Sequence, residues 1–286
     1  MNDLFLRPEH VLQGGYFHST LRKLQEPNTS IEPHNIMYPV FLLENEDAIQ
    51  PVGSMPNVHR YGVNQLIPAL TTLVDKGLKS ILIFGIVETM PKDPTGSSAD
   101  DVSNPVIKAL PKLRDAFPQL LIACDVCLCP YTSHGHCGVL TNTGAIDHAA
   151  SVKRIAEVAL AYAKAGAHVV APSDMMDNRI KAIKDALISH KLQNQARDVA
   201  EGADFLMVKP GLPYLDIVKQ TKDQFPNHPL FIYQVSGEYA MISRSGDSNE
   251  VQTTLMETLT CMRRAGADCI ITYFAPVILS IISGKH

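Results

Sequence analysis

Seven short runs of β-branched and other apolar residues punctuate the chain, at 36–43, 80–86, 120–126, 168–172, 205–208, 230–235 and 269–274. They are continuously apolar rather than alternating, the pattern of strands buried on both faces of a parallel sheet. Between them the period changes. Ile155, Ala159 and Tyr162 recur at i, i+4 and i+7 after a candidate N-cap at Ser151, and Leu255, Leu259 and Met262 follow a candidate cap at Asn249, the spacing of one buried helical face. Three junctions share a further signature. Ala165-Gly166-Ala167-His168, Glu201-Gly202-Ala203-Asp204 and Ala265-Gly266-Ala267-Asp268 each close a helix on glycine and open a strand, as helix-to-strand loops do.

Strand and helix alternate over about 250 residues with no second composition class. That predicts one α/β domain, a (β/α)8 TIM barrel rather than a doubly wound open sheet, and no G-x-G-x-x-G occurs to support a dinucleotide fold. Residues 1–35 mix Pro, His, Asn and Gln without sustained periodicity and read as an extended N-terminal arm; the barrel then occupies 36–286. The strand count stops at seven. Residues 179–190 read as a helix and 196–201 as the last turns of another, with only the polar linker 191–195 between them. A βα unit averages about 30 residues, so the unit after the fourth is missing, with the junction near 195–196.

At 286 residues, 45% hydrophobic and 19% charged, the chain can bury one large core. A net charge of −4 with no Lys/Arg run leaves no footprint for nucleic acid or anionic lipid, so small-molecule chemistry is expected. Arg7, Glu9 and His10 interrupt the first fifteen residues. That excludes a signal-peptide core or a membrane span there, and a cytosolic location follows.

Candidate chemistry gathers at the predicted strand ends. The segment Asp125-Val126-Cys127-Leu128-Cys129-Pro130-Tyr131-Thr132-Ser133-His134-Gly135-His136-Cys137-Gly138 leaves the third strand at the end where barrel enzymes place catalytic groups. Cys127, Cys129 and Cys137 are spaced C-x-C-x7-C, either as three ligands of a zinc ion whose fourth position stays open for water, or as three unrelated cysteines, or as a redox pair. His136, with His134, is read as a ligand of a second, weaker site or as a solvated loop residue. Cys124, Cys261 and Cys269 read as small buried hydrophobes. Lys209 ends an apolar strand before Pro210-Gly211; desolvation there would favour the neutral, nucleophilic amine, whereas a snorkelling surface lysine is the plainer alternative. Ser173 and Asp174 follow the fourth strand, Ser236 and Gly237 the seventh, and Tyr273 closes the eighth. With Asp125 and Lys209 they fall on one rim, as a site requires and scattered capping residues would not.

At 123–138 (ACDVCLCPYTSHGHCG), 170–177 (VAPSDMMD), 206–211 (LMVKPG), 233–241 (YQVSGEYAM) and 263–276 (RRAGADCIITYFAP) the sequence is similar to the zinc-dependent porphobilinogen synthases. The resemblance implies that Cys127, Cys129 and Cys137 hold a catalytic Zn2+ and that Lys209 forms a Schiff base with 5-aminolevulinate. Ser236 and Tyr273 would hold that substrate's carboxylate, while Asp125 and Ser173 line the pocket. It also implies a homo-octamer in which the arm wraps a neighbour, and a place in heme and porphyrin biosynthesis. The departure is specific. Between the positions of Gln195 and Ala196 the family carries a fifth strand ending in a second active-site lysine, then a lid with arginines for the other substrate's carboxylate. A smaller shortening follows Met241. Three expectations compete: a working hydro-lyase, a catalytically impaired isoform or paralogue that only joins the oligomer, and a class I aldolase, which needs no zinc and leaves the cysteines unexplained.

Overall fold

The computed structural model describes residues 17–24, 30–190, 192, 202–244 and 246–284. The chain begins with a short helix α1 (Ser19–Lys23) and a 3-10 turn at Pro33–Asn35, then enters β1 (Ile36–Leu43). A small hairpin follows, β2 (Ile49–Pro51) and β3 (His59–Tyr61). From there strand and helix alternate: α2 (Val63–Asp75), β4 (Ser80–Ile86), α3 (Pro105–Ala116), β5 (Leu121–Val126), α4 (His148–Ala165), β6 (Val169–Pro172) and α5 (Arg179–Ser189). The second half runs β7 (Leu206–Val208), α6 (Leu215–Gln224), β8 (Leu230–Gln234), α7 (Ser236–Ser243), α8 (Ser248–Ala265), β9 (Cys269–Thr272) and α9 (Ala275–Ser283).

All seven expected strands form, within one residue of their sequence bounds except at 269–274, where the strand ends two residues early. There Thr272 ends β9 by accepting the Phe274 N–H at 3.1 Å and donating its hydroxyl proton to the buried Gln234 amide oxygen at 2.6 Å. The strands pair in parallel in the order β6-β5-β4-β1-β9-β8-β7. That is the circuit of a TIM barrel with one position skipped. Among the described residues, β6 and β7 are the free edges of the sheet, and they flank the junction where the sequence runs out of a βα unit. The expected linker 191–195, apart from Leu192, and the expected helical turns at 196–201 lie outside the described residues.

The apolar stripes of the helices pack onto the outside of the sheet: Leu66 and Leu70 of α2, Ile155 and Ala159 of α4, and Leu255, Leu259 and Met262 of α8 are fully buried. Inside, a layer of rings plugs the barrel near its C-terminal end. Phe41 lies 5.7 Å from Phe84 and 5.8 Å from Tyr273, and Tyr233 lies 6.3 Å from Phe84 and 6.1 Å from Tyr273.

Four expectations need correction. Where it is described, the arm is not extended, because Leu21 and Leu24 are buried and Phe17 and His18 pack their rings against His168. The cap of α4 is Asp147, whose carboxylate accepts the Ala150 N–H, and Ser151 sits inside the helix. Asp247 rather than Asn249 caps α8, accepting the N–H groups of Asn249 and Glu250; at both ends an equally good capping residue two to four positions upstream takes the role. Cys261 is exposed on the outer face of α8, whereas Cys124 and Cys269 are buried as expected.

The three glycine junctions have φ of +118° (Gly166), +99° (Gly202) and +115° (Gly266). At Gly266 a Cβ would also lie 2.8 Å from the Cβ of Lys222. Gly266→Ala is therefore expected to cost on the order of 1–3 kcal/mol in urea unfolding, against near-neutrality for Gly53→Ala, which has open space around it. Equal midpoints for the two variants would sink this account of the helix ends.

Buried His168 has its pKa pushed down to about 4, by burial first and then by the Arg114 charge beside it and His18. Its Nδ1 accepts the Ile122 N–H at 3.0 Å. Unfolded, the same ring takes a proton below about 6.5, so between there and about 4 the unfolded chain binds more protons and stability falls as pH drops. His168→Asn, which keeps an acceptor, is expected to lose less stability than wild type between pH 7 and 5. A parallel loss in both would remove His168 as the cause.

Candidate active site

β5 delivers Asp125 to the C-terminal rim and hands the chain to a loop that doubles back on itself. The Leu128 carbonyl accepts from Tyr131 and Thr132 N–H, the Thr132 hydroxyl donates to the His136 carbonyl at 2.9 Å, and Gly135 turns with φ +74°. Ser133 N–H bonds the Asp93 carbonyl on the neighbouring β4 loop. At the far end, Ser151 of α4 accepts the Val139 N–H at 2.9 Å and packs where a side chain on Gly138 would sit. The fold-back brings Cys137 to the C-x-C pair.

The Sγ atoms of Cys127, Cys129 and Cys137 all lie within 4.8 Å of one another, with Cys127 and Cys129 at 3.3 Å. Tetrahedral thiolates about 2.3 Å from a zinc ion stand about 3.8 Å apart, so the trio fits a soft cation. Its electrostatics point the same way. Hydrogen bonding from the Cys129 thiol is the main reason the Cys127 thiol falls to about 5, against the opposing effect of burial. That hydrogen bond, with burial, pushes Cys129 up, and burial with the Cys127 charge pushes Cys137 up to about 11. One thiolate suppresses the other two, and a cation at their centre removes the conflict.

His136 is not a member of this trio. It sits on the turn with its ring 5.5 Å from that of His134, and its N–H is given to the His134 Nδ1.

Ser173 N–H bonds the Val126 carbonyl, and its side chain hydrogen-bonds both Asp125 and Cys127. Burial lifts Asp125 to about 7, opposed by the Ser173 hydrogen bond and the Lys209 charge. Asp174, lifted by burial to about 6, accepts the Met176 N–H at 3.1 Å and faces the Arg179 Nε at 3.1 Å. These groups line a cavity of about 650 Å³ that runs through the barrel interior and reaches both free strand edges. Asp125, Ser173, Asp174, Arg179, Lys209 and Tyr233 supply its polar surface; Leu82, Phe84, Ile183, Phe205 and Phe231 supply much of the rest.

Lys209 is in the expected place but not the expected setting: it is exposed, as is Met207 at 39%, because β7 is an edge strand. Buried Tyr273 reaches the cavity through Tyr233, their hydroxyls 2.7 Å apart. Ser236 is exposed at the head of α7. Sequence reading missed Tyr233 and Arg179. Tyr233 alternates inward from the end of a strand and could have been found by register, whereas Arg179 is placed only by the turn of chain after Asp174.

Profile comparison settles the relationship. The delta-aminolevulinic acid dehydratase family profile matches residues 11–196 and 189–281. The chain belongs to that family. The delta-aminolevulinic acid dehydratase of Macaca fascicularis is 46% identical over 324 aligned positions, covering 96% of this chain and 98% of the relative. That of Schizosaccharomyces pombe is 40% identical, with 94% and 96% covered. A crystal structure of the Toxoplasma gondii ME49 enzyme, in complex with its reaction product porphobilinogen, superposes with a TM-score of 0.83 at 29% identity over 93% of this chain and 90% of that one. An alignment of 324 positions exceeds the 286 residues available, and the profile breaks into two pieces meeting at 189–196. Delta-aminolevulinic acid dehydratases thus carry residues that this chain lacks where, among the described residues, β6 and β7 each have a neighbour on one side only. The chain is a lyase of the porphobilinogen synthase type by family.

Proposed function

We propose that this chain binds 5-aminolevulinate and carries the metal-binding and first-substrate half of porphobilinogen synthesis, the condensation of two 5-aminolevulinate molecules with loss of water. The observation that supports this best is the convergence of the Cys127, Cys129 and Cys137 trio, the Asp125–Ser173 pair and Lys209 at one end of the barrel. Zn2+ held by the three cysteines supplies Lewis acidity and acidifies bound water.

The Lys209 nitrogen attacks the ketone carbon of one 5-aminolevulinate, and water leaves as the imine forms. The hydroxyls of Ser236 and Tyr273 donate to that molecule's carboxylate. Asp125, lifted to about 7 by burial, accepts or returns a proton near neutral pH, with Ser173 holding its orientation. His136, outside the cysteine trio, is left to a second, weaker metal site. Homo-octamer assembly and a cytosolic location are carried over from the resemblance and the composition.

Turnover is where this chain departs from its relatives. Condensation requires two substrates held in register, and such positioning supplies roughly 7–11 kcal/mol of a barrier. The second lysine and the lid arginines that the resemblance assigns to the other substrate fall in the missing segment. The impaired-isoform reading therefore gains support from the free strand edges, while the aldolase reading offers no use for the cysteine trio.

Purified protein is expected to contain about one zinc per chain, with Cys127→Ala and Cys137→Ala each losing most of it in metal analysis. Equal, negligible metal in all three would remove the zinc assignment. Porphobilinogen formation is expected to be on the order of a thousandfold or more below that of a version with the family's segment restored at the Gln195/Ala196 junction. Comparable rates would show the segment to be dispensable.

A further inference from the structure

We propose that Glu238 is a positioning residue that locks the Lys209 loop to the head of α7, so that the Lys209 amine and the Ser236 hydroxyl address one substrate molecule together. This rests on the reading of Lys209 as the imine-forming amine.

Glu238 is buried at 6% exposure in the first turn of α7, two residues after Ser236. A buried carboxylate is stable only when its oxygens are well hydrogen-bonded. Here Oε2 accepts the Gly211 N–H at 2.8 Å and the Val235 N–H at 3.0 Å, and Oε1 accepts the Leu212 N–H at 2.7 Å. The Val235 bond is ordinary helix capping. The other two are not, since Gly211 and Leu212 belong to the turn after Lys209, 27 and 26 residues away in the chain.

That turn has little else to fix it. The β7–β8 ladder ends at Val208 opposite Ile232, one residue before Lys209, and no described strand lies on the other side of β7. Gly211 completes the fit: a Cβ there would lie 2.7 Å from the Met262 Cε and 3.2 Å from Glu238 Oε1, so only a bare backbone can bring its N–H so close. One carboxylate thus takes over where the sheet stops, joining the element that carries the amine to the element that carries the substrate-binding hydroxyl.

The test uses the full zinc-containing chain, as wild type, Glu238→Ala, Glu238→Gln and Lys209→Ala. Borohydride with graded 5-aminolevulinate reduces the imine carbon and leaves a stable secondary amine, which peptide mapping locates. The adduct is expected on Lys209 in wild type and to be absent from Lys209→Ala. In Glu238→Ala the substrate concentration for half-maximal trapping is expected to rise roughly tenfold or more, since hydrogen bonds to charged groups are lost. Glu238→Gln, which keeps one acceptor oxygen, should fall between, with zinc content and circular dichroism unchanged in both. Trapping by Glu238→Ala at wild-type concentrations overturns the proposal alone. Loss of zinc and fold in parallel with trapping in both variants makes Glu238 a purely structural residue and also overturns it. No adduct in wild type removes the imine reading, and the proposal with it.

Discussion

Parallel pairing around β1 governs everything else in this molecule. β1 lies between β4 and β9, and from it the sheet grows outward in both directions to β6 and β7, so the seven strands of this path point the same way and their ends face the same rim. A closed barrel fixes strand number, tilt and shear together. Among the described residues one position of that circuit is unfilled, and β6 and β7 each have a strand on one side only. The consequences are local. Asp125 and Cys127 leave β5, which is paired on both sides, and Ser173, just past the edge strand β6, is half-buried, while Lys209 at the end of the other edge strand is exposed.

The cysteine trio illustrates how charge completes what the backbone begins. A compact loop, held by the Leu128 carbonyl, by Gly135 and by Ser151, places three sulfurs where only one of them can ionise readily without a cation. The arrangement is pre-formed by hydrogen bonds that involve no metal, so the fold is already committed to the geometry that a tetrahedral ion prefers.

Much of this was legible in the sequence, and what was not has identifiable causes. The seven parallel strands announced themselves because burial on both faces enforces continuous apolar runs, and the missing unit was visible as a spacing too short to hold one. The trio was legible because its members lie within eleven residues of one another. The hairpin of β2 and β3 was missed: at three residues each, with Pro51 in one, those strands carry no period to read. Cap positions slipped because Asp147 and Ser151, or Asp247 and Asn249, are all good caps. Lys209 was found, but sequence left open whether it is desolvated or exposed, since burial at a strand end depends on the strand next door; it is exposed. Glu238 left no signal at all, because a carboxylate in a helix's first turn looks like a cap whether or not it also reaches across to another loop.

The separation between what survives and what is lost follows from how a barrel distributes its chemistry. Each βα unit contributes its own strand end and loop, so removing one unit subtracts its side chains and leaves the others nearly in place. On the proposed reading, metal binding would draw on a single unit, β5 and its loop. The first substrate, on the same reading, would be bound by β7, β8 and β9, which are paired with one another and are tied further by Glu238 and by the Tyr233–Tyr273 hydroxyl contact. Joining two substrates would need groups on both sides of the gap that the described residues leave between β6 and β7, and water entering such a gap would weaken the electrostatic contacts on which alignment depends. On that reading the groups for metal and for first-substrate binding stand on parts of the sheet whose ends, β6 and β7, are not paired with each other among the described residues.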